Sequence, residues 1–112
     1  MEQKDLGKTS TGINANLAAL LSYLLGFITG IIFYVIEKEN KFVRFHAMQS
    51  IVVFAFLFLV SVVLGFIPFV GGVINLLVSL ASFILWIILM IKAYQGEHFK
   101  LPIAGDIAEK NA

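Results

Sequence analysis

Two long uncharged runs interrupt the polar positions of this chain. From Thr9 to Ile36, and again from Ala47 to Ile91, there is no Asp, Glu, Lys, Arg or His. Each run exceeds the roughly 18 apolar residues that indicate a membrane-spanning helix, and neither repeats polar residues often enough to give a soluble helix its water-facing side. The pattern therefore favours transmembrane segments over the buried helices of a soluble core.

The second run is too long to cross a bilayer once. At about 1.5 Å per residue, one helix over this run would be more than twice the roughly 30 Å of hydrocarbon, so the chain has to fold back. Four residues that break helices mark the turn: Gly65, Pro68, Gly71 and Gly72. We therefore predict an all-α membrane protein with about three transmembrane helices, over residues 14–36, 43–66 and 72–94, the last two forming a tight hairpin.

The two ends of the chain are polar. Residues 1–13 carry little apolar surface, which predicts a mobile arm. Residues 95–112 form a polar tail that is too short for a second domain. We therefore expect residues 1–112 to form a single transmembrane domain.

A cleaved signal peptide is the competing interpretation of the first run, because Lys4 and Lys8 precede it. The apolar part of that run, residues 17–36, is longer than the roughly 7 to 15 residues of a signal core. It also ends without the small residues of a cleavage site, so a retained helix is favoured.

Basic residues are unevenly divided between the predicted sides of the membrane. With three crossings, the first connector and the tail share one side, which holds six basic residues: Lys38, Lys41, Arg44, Lys92, Lys100 and Lys110. The other side holds Lys4 and Lys8. Because Lys and Arg near helix ends tend to stay in the cytoplasm, this division predicts a cell-membrane protein with an outside N-terminus and a cytoplasmic C-terminus.

The overall composition supports the membrane assignment. Of 112 residues, 60% are hydrophobic and 13% charged, against roughly 25% charged in soluble domains. A net charge of +1 gives no broad basic surface, so the lipid bilayer is the expected partner and nucleic acid is not. The absence of cysteine excludes disulfides and thiolate sites.

A stripe of small residues runs along the first predicted helix. Ser22, Gly26 and Gly30 recur every four residues. Small residues let membrane helices approach closely. We therefore predict that this stripe packs against another helix, within the chain or in a second copy.

The third predicted helix carries a polar stripe. Asn75, Ser79 and Ser82 follow i, i+4 and i+7 spacing, which places them on one helix face. Two interpretations remain open: hydrogen bonding between helices, worth roughly 0.6 to 2 kcal/mol per contact, or a wetted path lined by these groups. No Asp, Glu, Lys or Arg lies deep in a predicted span, which disfavours an ion-coupled transporter.

Polar residues gather where the second predicted helix begins. Arg44 stands there, and His46, Gln49 and Ser50 follow the spacing of one helix face. A lone interfacial histidine is more often a hydrogen-bonded neighbour of headgroups than a catalytic base, and no partner at recognisable spacing completes a triad. Two histidines with scattered carboxylates make no metal set. We therefore predict no catalytic, cofactor or metal site, and no enzymatic activity.

The stretch KFVRFHAMQS, residues 41–50, is the most specific motif in the chain. It resembles a motif of small prokaryotic membrane proteins grouped with the Tic twenty-kilodalton import subunit of chloroplasts. The resemblance implies an α-helical multi-pass protein and, by analogy, a component of a protein-conducting complex. It also implies that Arg44, Phe45, His46 and Gln49 are the positions that matter.

These features predict a non-enzymatic multi-pass membrane protein that acts through helix–helix assembly, as a homo-oligomer or as a small subunit of a membrane complex. The alternative is a pore or protein-translocation component resembling the chloroplast subunit. Such a pore needs several copies or partner subunits, because three helices enclose very little lumen.

Overall fold

The computed structural model describes residues 6–112, and helices are the only regular secondary structure of this part of the chain. Five follow one another: α1 (Ala15–Leu24), α2 (Phe27–Ile36), α3 (Lys41–Gly65), α4 (Val70–Tyr94) and α5 (Ala104–Lys110). The predicted all-helical class is confirmed. α3 and α4 have 25 residues each and are long and apolar enough to cross a membrane. Both begin slightly before their predicted starts.

The first predicted transmembrane helix, residues 14–36, is instead two short helices. α1 and α2 have ten residues each. A helix of that length is about 15 Å long, half of the hydrocarbon thickness. Gly26 separates the two helices with φ 64°, a conformation that glycine adopts readily and other residues rarely do. The chain therefore reverses where the sequence predicts a continuous helix.

Side chains bond the backbone groups that this break releases. The Leu25 N–H donates to Thr29 Oγ1 at 3.1 Å, and the same hydroxyl donates to the carbonyl of Ser22 at 3.1 Å. Ser50 on α3 donates to the carbonyl of Gly26 at 2.8 Å. Hydrocarbon offers no hydrogen bonds, so these contacts make the reversal tolerable inside an apolar segment.

The α1–α2 hairpin returns the chain to the end of the molecule from which it started. Asn16, in the first turn of α1, donates to the carbonyl of Tyr94, the last residue of α4, at 3.0 Å. Arg44, in the first turn of α3, donates to the carbonyl of Tyr34, near the end of α2, at 2.9 Å. Since α3 and α4 form a hairpin, the start of α3 and the end of α4 share one end of the molecule. Both ends of the α1–α2 hairpin lie there too.

Residues 66–69 reverse the chain between α3 and α4. Phe69 has φ 61°. A Cβ atom at Gly71 would collide with the carbonyl oxygen of Leu64, so the close approach of the two helices requires glycine at this position. The predicted helix breakers Gly65 and Gly72 lie within the helices instead.

Part of the predicted mobile arm is hydrogen-bonded to the loop between α2 and α3. Asn40 donates through Nδ2 to the carbonyls of Leu6, at 3.1 Å, and Lys8, at 2.9 Å. Residues 6–13 therefore lie against this loop rather than free of the helices. Residues 1–5 of the predicted arm lie outside the described residues.

The predicted polar tail, residues 95–112, contains the helix α5. This helix contacts α3, and its Ala104 and Ala108 are buried. On its outer side, Lys100 pairs with Asp106 at 3.0 Å and with a second acidic residue of α5 at 3.1 Å. Small side chains toward α3 and charges outward explain why this short segment packs along the bundle.

Burial divides the molecule into two halves. Among the described residues, every buried apolar side chain lies in one half, which we call the packed base: α1, α2, residues 41–53 and 85–94 of the long helices, and residues 97–108. The other half, the hairpin tip, comprises residues 54–84. Large apolar side chains are exposed there, up to 91% for Phe69.

Candidate functional site

Three fully buried polar side chains meet at the centre of the packed base. The hydroxyl oxygen of Tyr23 lies 2.7 Å from Nδ1 of His46. Gln49 Nε2 donates to the same hydroxyl at 3.0 Å. Tyr23 comes from α1, whereas His46 and Gln49 stand three residues apart on α3, a spacing that places them on one helix face. This centre therefore joins α1 to α3.

The segment that follows α4 closes this centre from the other side. Nε2 of His46 lies 2.7 Å from the carbonyl oxygen of Glu97. Gln49 donates to the carbonyl of Phe99 at 2.8 Å, and its own carbonyl accepts from the N–H of Leu101 at 3.0 Å. Two side chains of α3 thus hold a five-residue segment by its backbone.

The hydrogen-bond partners of His46 define which ring nitrogen carries a hydrogen. A backbone carbonyl accepts only, so Nε2 of His46 carries a hydrogen that it donates to Glu97. Nδ1 then accepts from the hydroxyl of Tyr23, which in turn accepts from Gln49. The neutral imidazole satisfies every member of the network. Because both ring nitrogens have partners inside the protein, neither is free to act as a base on a substrate.

Aromatic rings surround His46. Its ring centroid lies 4.7 Å from that of Phe42 and 5.0 Å from that of Phe45, and both pairs meet edge to face. The same two phenyl rings contact His98 at 4.9 and 5.1 Å. The sequence predicts a histidine beside headgroups, whereas the structure places His46 in a ring cluster with no exposed surface.

Arg44 bonds the C-terminal end of α2 and is not part of this polar centre. Its guanidinium donates to the carbonyl of Tyr34 at 2.9 Å and to the carbonyl of Glu37 at 3.1 Å. It also lies 4.0 Å from the centroid of the Tyr34 ring. A cation at the C-terminus of a helix bonds its unpaired carbonyls and opposes its dipole. Arg44 therefore fixes the end of α2 against α3.

Two of the three small residues of the first predicted helix, Gly26 and Gly30, contact α3 of the same chain. A Cβ atom added to Gly30 would lie 2.9 Å from the carbonyl oxygen of Ala47, so only glycine fits that contact without a shift. Ser22 is fully buried. At Gly26 the stripe ends in the chain reversal, so its members do not share one continuous helix. Gly26 and Gly30 nevertheless share one neighbour, α3.

The polar stripe of α4 is only partly bonded. Asn75 donates to the carbonyl of Ser61 on α3 at 3.3 Å, and Ser82 donates to the carbonyl of Val78 at 2.7 Å. Ser79 is exposed, and its hydroxyl has no hydrogen-bond partner among the described residues. A groove of about 420 Å³ runs past Ser79 and Ser82.

Four further polar or aromatic side chains complete the base and are absent from the sequence-based prediction. Tyr23 supplies the central hydroxyl, Asn16 bonds the end of α4, and Trp86 Nε1 donates to the carbonyl of Tyr23 at 2.7 Å. Asn40 caps α3 by accepting from the N–H of Val43. An asparagine before a helical run signals a cap. For the other three, the only signal is a polar or aromatic side chain inside an uncharged run.

Glu37 is a buried carboxylate near the arm. One of its oxygens accepts from the N–H of Ser10 at 2.7 Å, and the other has no partner in the described part of the chain. No three His, Cys, Asp or Glu side chains among residues 6–112 approach closely enough to hold a metal ion. The absence of a metal or cofactor site remains a prediction.

Comparison with known proteins finds similarity over almost the whole chain. The family model MamF_MmsF, the magnetosome magnetite crystal formation protein family, matches residues 8–108. The UPF0132 membrane protein MJ1443 of Methanocaldococcus jannaschii is 57% identical over 105 residues, 94% of each chain. A UPF0132 membrane protein of Archaeoglobus fulgidus is 52% identical over 95 residues, 85% of this chain and 92% of its own. No solved structure matches.

These matches overturn the resemblance to the chloroplast import subunit. The family that matches is MamF_MmsF, and its match covers the stretch KFVRFHAMQS of this chain; neither this family nor the archaeal relatives named above is the import subunit. The motif therefore does not assign the chain to the group of that subunit. Its residues act in the structure as a helix cap and as the hydrogen-bonded centre of the packed base.

Proposed function

This chain belongs to the magnetosome magnetite crystal formation protein family, MamF_MmsF, and from that premise we propose that it is a non-enzymatic membrane protein acting through assembly. Its relatives in archaea are named as membrane proteins. The family's description names crystal formation as the activity of its members. The proposed role is a homo-oligomer or a small subunit of a larger membrane complex.

The proposed membrane topology has two crossings and a re-entrant hairpin. α3 and α4 are long enough to cross, whereas α1 and α2 each reach about half of the hydrocarbon thickness before the chain turns back. Re-entrant backbone at this depth is tolerated where protein buries it, as α3 does at Gly26. The N-terminal arm, the α2–α3 loop and the tail then share one face.

The distribution of basic residues indicates on which side of the membrane this face lies. All basic residues of the described chain lie in or beside the packed base: Lys8, Lys38, Lys41, Arg44, Lys92, Lys100 and Lys110. The hairpin tip, residues 54–84, contains no charged residue. Because positive residues favour the cytoplasm, both termini are assigned to the cytoplasmic side. This assignment keeps the predicted C-terminal side and reverses the predicted N-terminal side.

One observation carries the assignment of a structural role to the polar centre. The hydrogen-bonding groups of Tyr23, His46 and Gln49 are all used within the chain, joining α1, α3 and residues 97–101. A catalytic or binding centre needs groups directed at a substrate. The polar centre therefore has a structural role: it holds α1, α3 and residues 97–101 of the packed base together.

Of the two interpretations of the polar stripe of α4, hydrogen bonding between helices has more support than a wetted path. Asn75 and Ser82 already donate hydrogen bonds to carbonyls of their own chain, which supports helix contact over a wetted path. The protein-translocation alternative depended on the resemblance that the comparisons overturn. The proposed function therefore does not include a pore.

Assembly is tested by measuring mass in membranes and in mild detergent. The full chain is crosslinked in native vesicles through lysines of the packed base and then extracted for native mass spectrometry. We expect a complex of defined mass, either several copies of this chain or this chain with a fixed stoichiometry of other membrane subunits. Monomeric mass in both settings contradicts the proposal.

A further inference from the structure

The segment after α4 runs back along α3 toward the middle of the bundle. Nε2 of His46 donates to the carbonyl of Glu97, and six residues after Glu97 the side chain of Ile103 lines a groove together with Phe56. From His46 to Phe56, α3 advances by about 15 Å. The segment therefore reaches well beyond the end of the molecule at which α4 stops.

α5 brings the chain back to the end of the molecule from which this segment started. The hydroxyl of Tyr34, near the end of α2, donates to the carbonyl of Asn111 at 2.7 Å. The outgoing and returning parts touch at Gly105, where a Cβ atom would lie 2.6 Å from Cβ of Lys100. Residues 97–111 therefore form a closed loop, which we call the tail loop, with residues 102–103 at its far point.

The tail loop and the α1–α2 hairpin reach the same stretch of α3. At the turn of the hairpin, the carbonyl of Gly26 accepts from Ser50, and a Cβ atom on Gly26 would lie 3.4 Å from Cβ of Phe54. At the far point of the tail loop, the groove is lined by α3 residues between Val52 and Leu57. Two separate loops thus extend equally far along one long helix.

The length of α3 places this stretch inside the hydrocarbon when the helix crosses the bilayer. α3 has 25 residues and is about 37 Å long, against roughly 30 Å of hydrocarbon. Even if all the excess length lies on the cytoplasmic side, the hydrocarbon begins near His46. Residues 52–57 then start about 9 Å further in. The far point of the tail loop therefore lies below the lipid headgroups.

The side chains of the far point suit hydrocarbon better than water. Ile103 is 75% exposed and has φ 66°, a conformation in which loops in water favour glycine or asparagine. The groove beside it has a volume of about 420 Å³, and all the side chains that line it are apolar. Lys100 pairs with both Asp106 and Glu109 on the outer side of the loop, which lowers the cost of charges near hydrocarbon.

We propose that the tail loop is a second re-entrant segment, whose far point inserts into the cytoplasmic leaflet and binds lipid acyl chains in the groove against α3. Acyl chains expose only apolar groups, so they match a surface that offers no hydrogen bonds. The C-terminal segment then anchors the packed base to the leaflet instead of lying free in the cytoplasm. This insertion rests on the proposed topology, in which α3 crosses the bilayer.

Spin labels on introduced cysteines measure the depth of the far point, because the chain has no cysteine of its own. The full chain is reconstituted in vesicles of phosphatidylcholine and phosphatidylglycerol. Molecular oxygen concentrates in hydrocarbon, whereas a nickel chelate stays in water. We expect the label at Ile103→Cys to collide with oxygen and not with the chelate, like the reference Phe56→Cys on α3. The control Lys110→Cys, at the end of α5, should collide with the chelate.

Failure of the insertion and failure of the topology give different results. Collision of the chelate with Ile103→Cys but not with Phe56→Cys overturns the insertion and leaves α3 as a crossing helix. Collision of the chelate with both labels overturns the insertion and the topology together. The mass measurement that tests assembly is independent of either result.

A matched pair of substitutions tests the insertion without a label. Ile103→Asp and Ile103→Asn are nearly equal in size, and both residue types tolerate φ 66°, so the two variants differ mainly in charge. In hydrocarbon, the folding equilibrium constant of Ile103→Asp should be about tenfold or more below that of Ile103→Asn. Unfolding in mixed micelles, followed through the single tryptophan Trp86, gives this ratio. Equal stability of the two variants contradicts the insertion.

Discussion

The packed base and the hairpin tip are built on the same two helices and differ in what covers them. The buried residues of α3 all lie between Phe42 and Val53. Beyond that point, large apolar side chains such as Phe56 and Phe58 are exposed. The α1–α2 hairpin turns back at Gly26, about halfway along the bundle, so burial follows the reach of this hairpin and not the hydropathy of α3.

The two halves also use polar residues differently. In the base, Tyr23, His46 and Gln49 bond one another and the backbone of the tail. In the tip, Ser79 has no hydrogen-bond partner among the described residues. Polar side chains thus join three elements of the fold in the base, whereas the hydroxyl of Ser79 in the tip joins none among the described residues.

The strongest way to break this contrast is to remove the centre of the base. Gln49→Leu leaves the carbonyl of Phe99 and the N–H of Leu101 without a partner, and it removes one of the two hydrogen bonds of the Tyr23 hydroxyl. Because each unsatisfied buried group costs about 1–3 kcal/mol, we expect a loss of about 2 kcal/mol or more in the free energy of unfolding. Unfolding in mixed micelles, followed through Trp86 fluorescence, gives this value. A loss under about 1 kcal/mol contradicts the structural role of the polar centre.

A pair of glycine substitutions compares the two halves at equal chemistry. At Gly30 an added methyl group meets the carbonyl of Ala47 at 2.9 Å, whereas at Gly72 it meets nothing within 4 Å. We expect Gly30→Ala to destabilise the fold by about 1–3 kcal/mol through overpacking. Gly72→Ala should stabilise it by up to about 1 kcal/mol, as in a helix interior. Equal effects in the same unfolding assay would remove the distinction between base and tip.

The edge of the base is tested at the cap of α3. Asn40→Ala removes the helix cap and both hydrogen bonds to the arm, at a cost of about 1 kcal/mol for the cap. The freed arm should be cleaved by trypsin after Lys8 several times faster. The neighbouring exposed substitution Glu39→Ala is the control. Unchanged cleavage in Asn40→Ala means that the arm is held by other contacts.

The smallest effect is expected on the outer side of α5. Lys100 pairs with Asp106 and Glu109, which hydrogen-bond its ammonium and raise its pKa above the ordinary value of 10.5. A raised pKa means that any stabilisation is present at neutral pH and is lost only as the pH rises through that value. These side chains are exposed, so Lys100→Gln should change the unfolding midpoint little at pH 7. A marked drop in the unfolding midpoint would mean that the ion pairs of Lys100 also stabilise the packed base.

The sequence predicts the two long apolar helices α3 and α4 well, because their length and uncharged pattern are local properties. The reversal at Gly26 escapes such an analysis. A glycine inside an apolar run is equally compatible with a straight membrane helix. The bonds that stabilise the reversal include one from Ser50, a residue 24 positions away in sequence.

The polar centre is predictable only in part for the same reason. His46 and Gln49 share a face by their spacing, which the sequence makes visible. Their partners Tyr23, Glu97 and Phe99 lie 23 to 51 positions away and include backbone carbonyls. No pattern of residue types reports such contacts.

The side of the membrane on which the N-terminal arm lies tests the account most directly. Single cysteines replacing Lys8, Lys38, Lys100 and Phe69 in turn are treated with a membrane-impermeant maleimide, in spheroplasts and in inverted vesicles. Two crossings and a re-entrant hairpin predict that Lys8→Cys, Lys38→Cys and Lys100→Cys all react in inverted vesicles, while Phe69→Cys does not. Reaction of Lys8→Cys in spheroplasts, with Lys38→Cys protected there, would establish a third crossing and contradict the re-entrant hairpin.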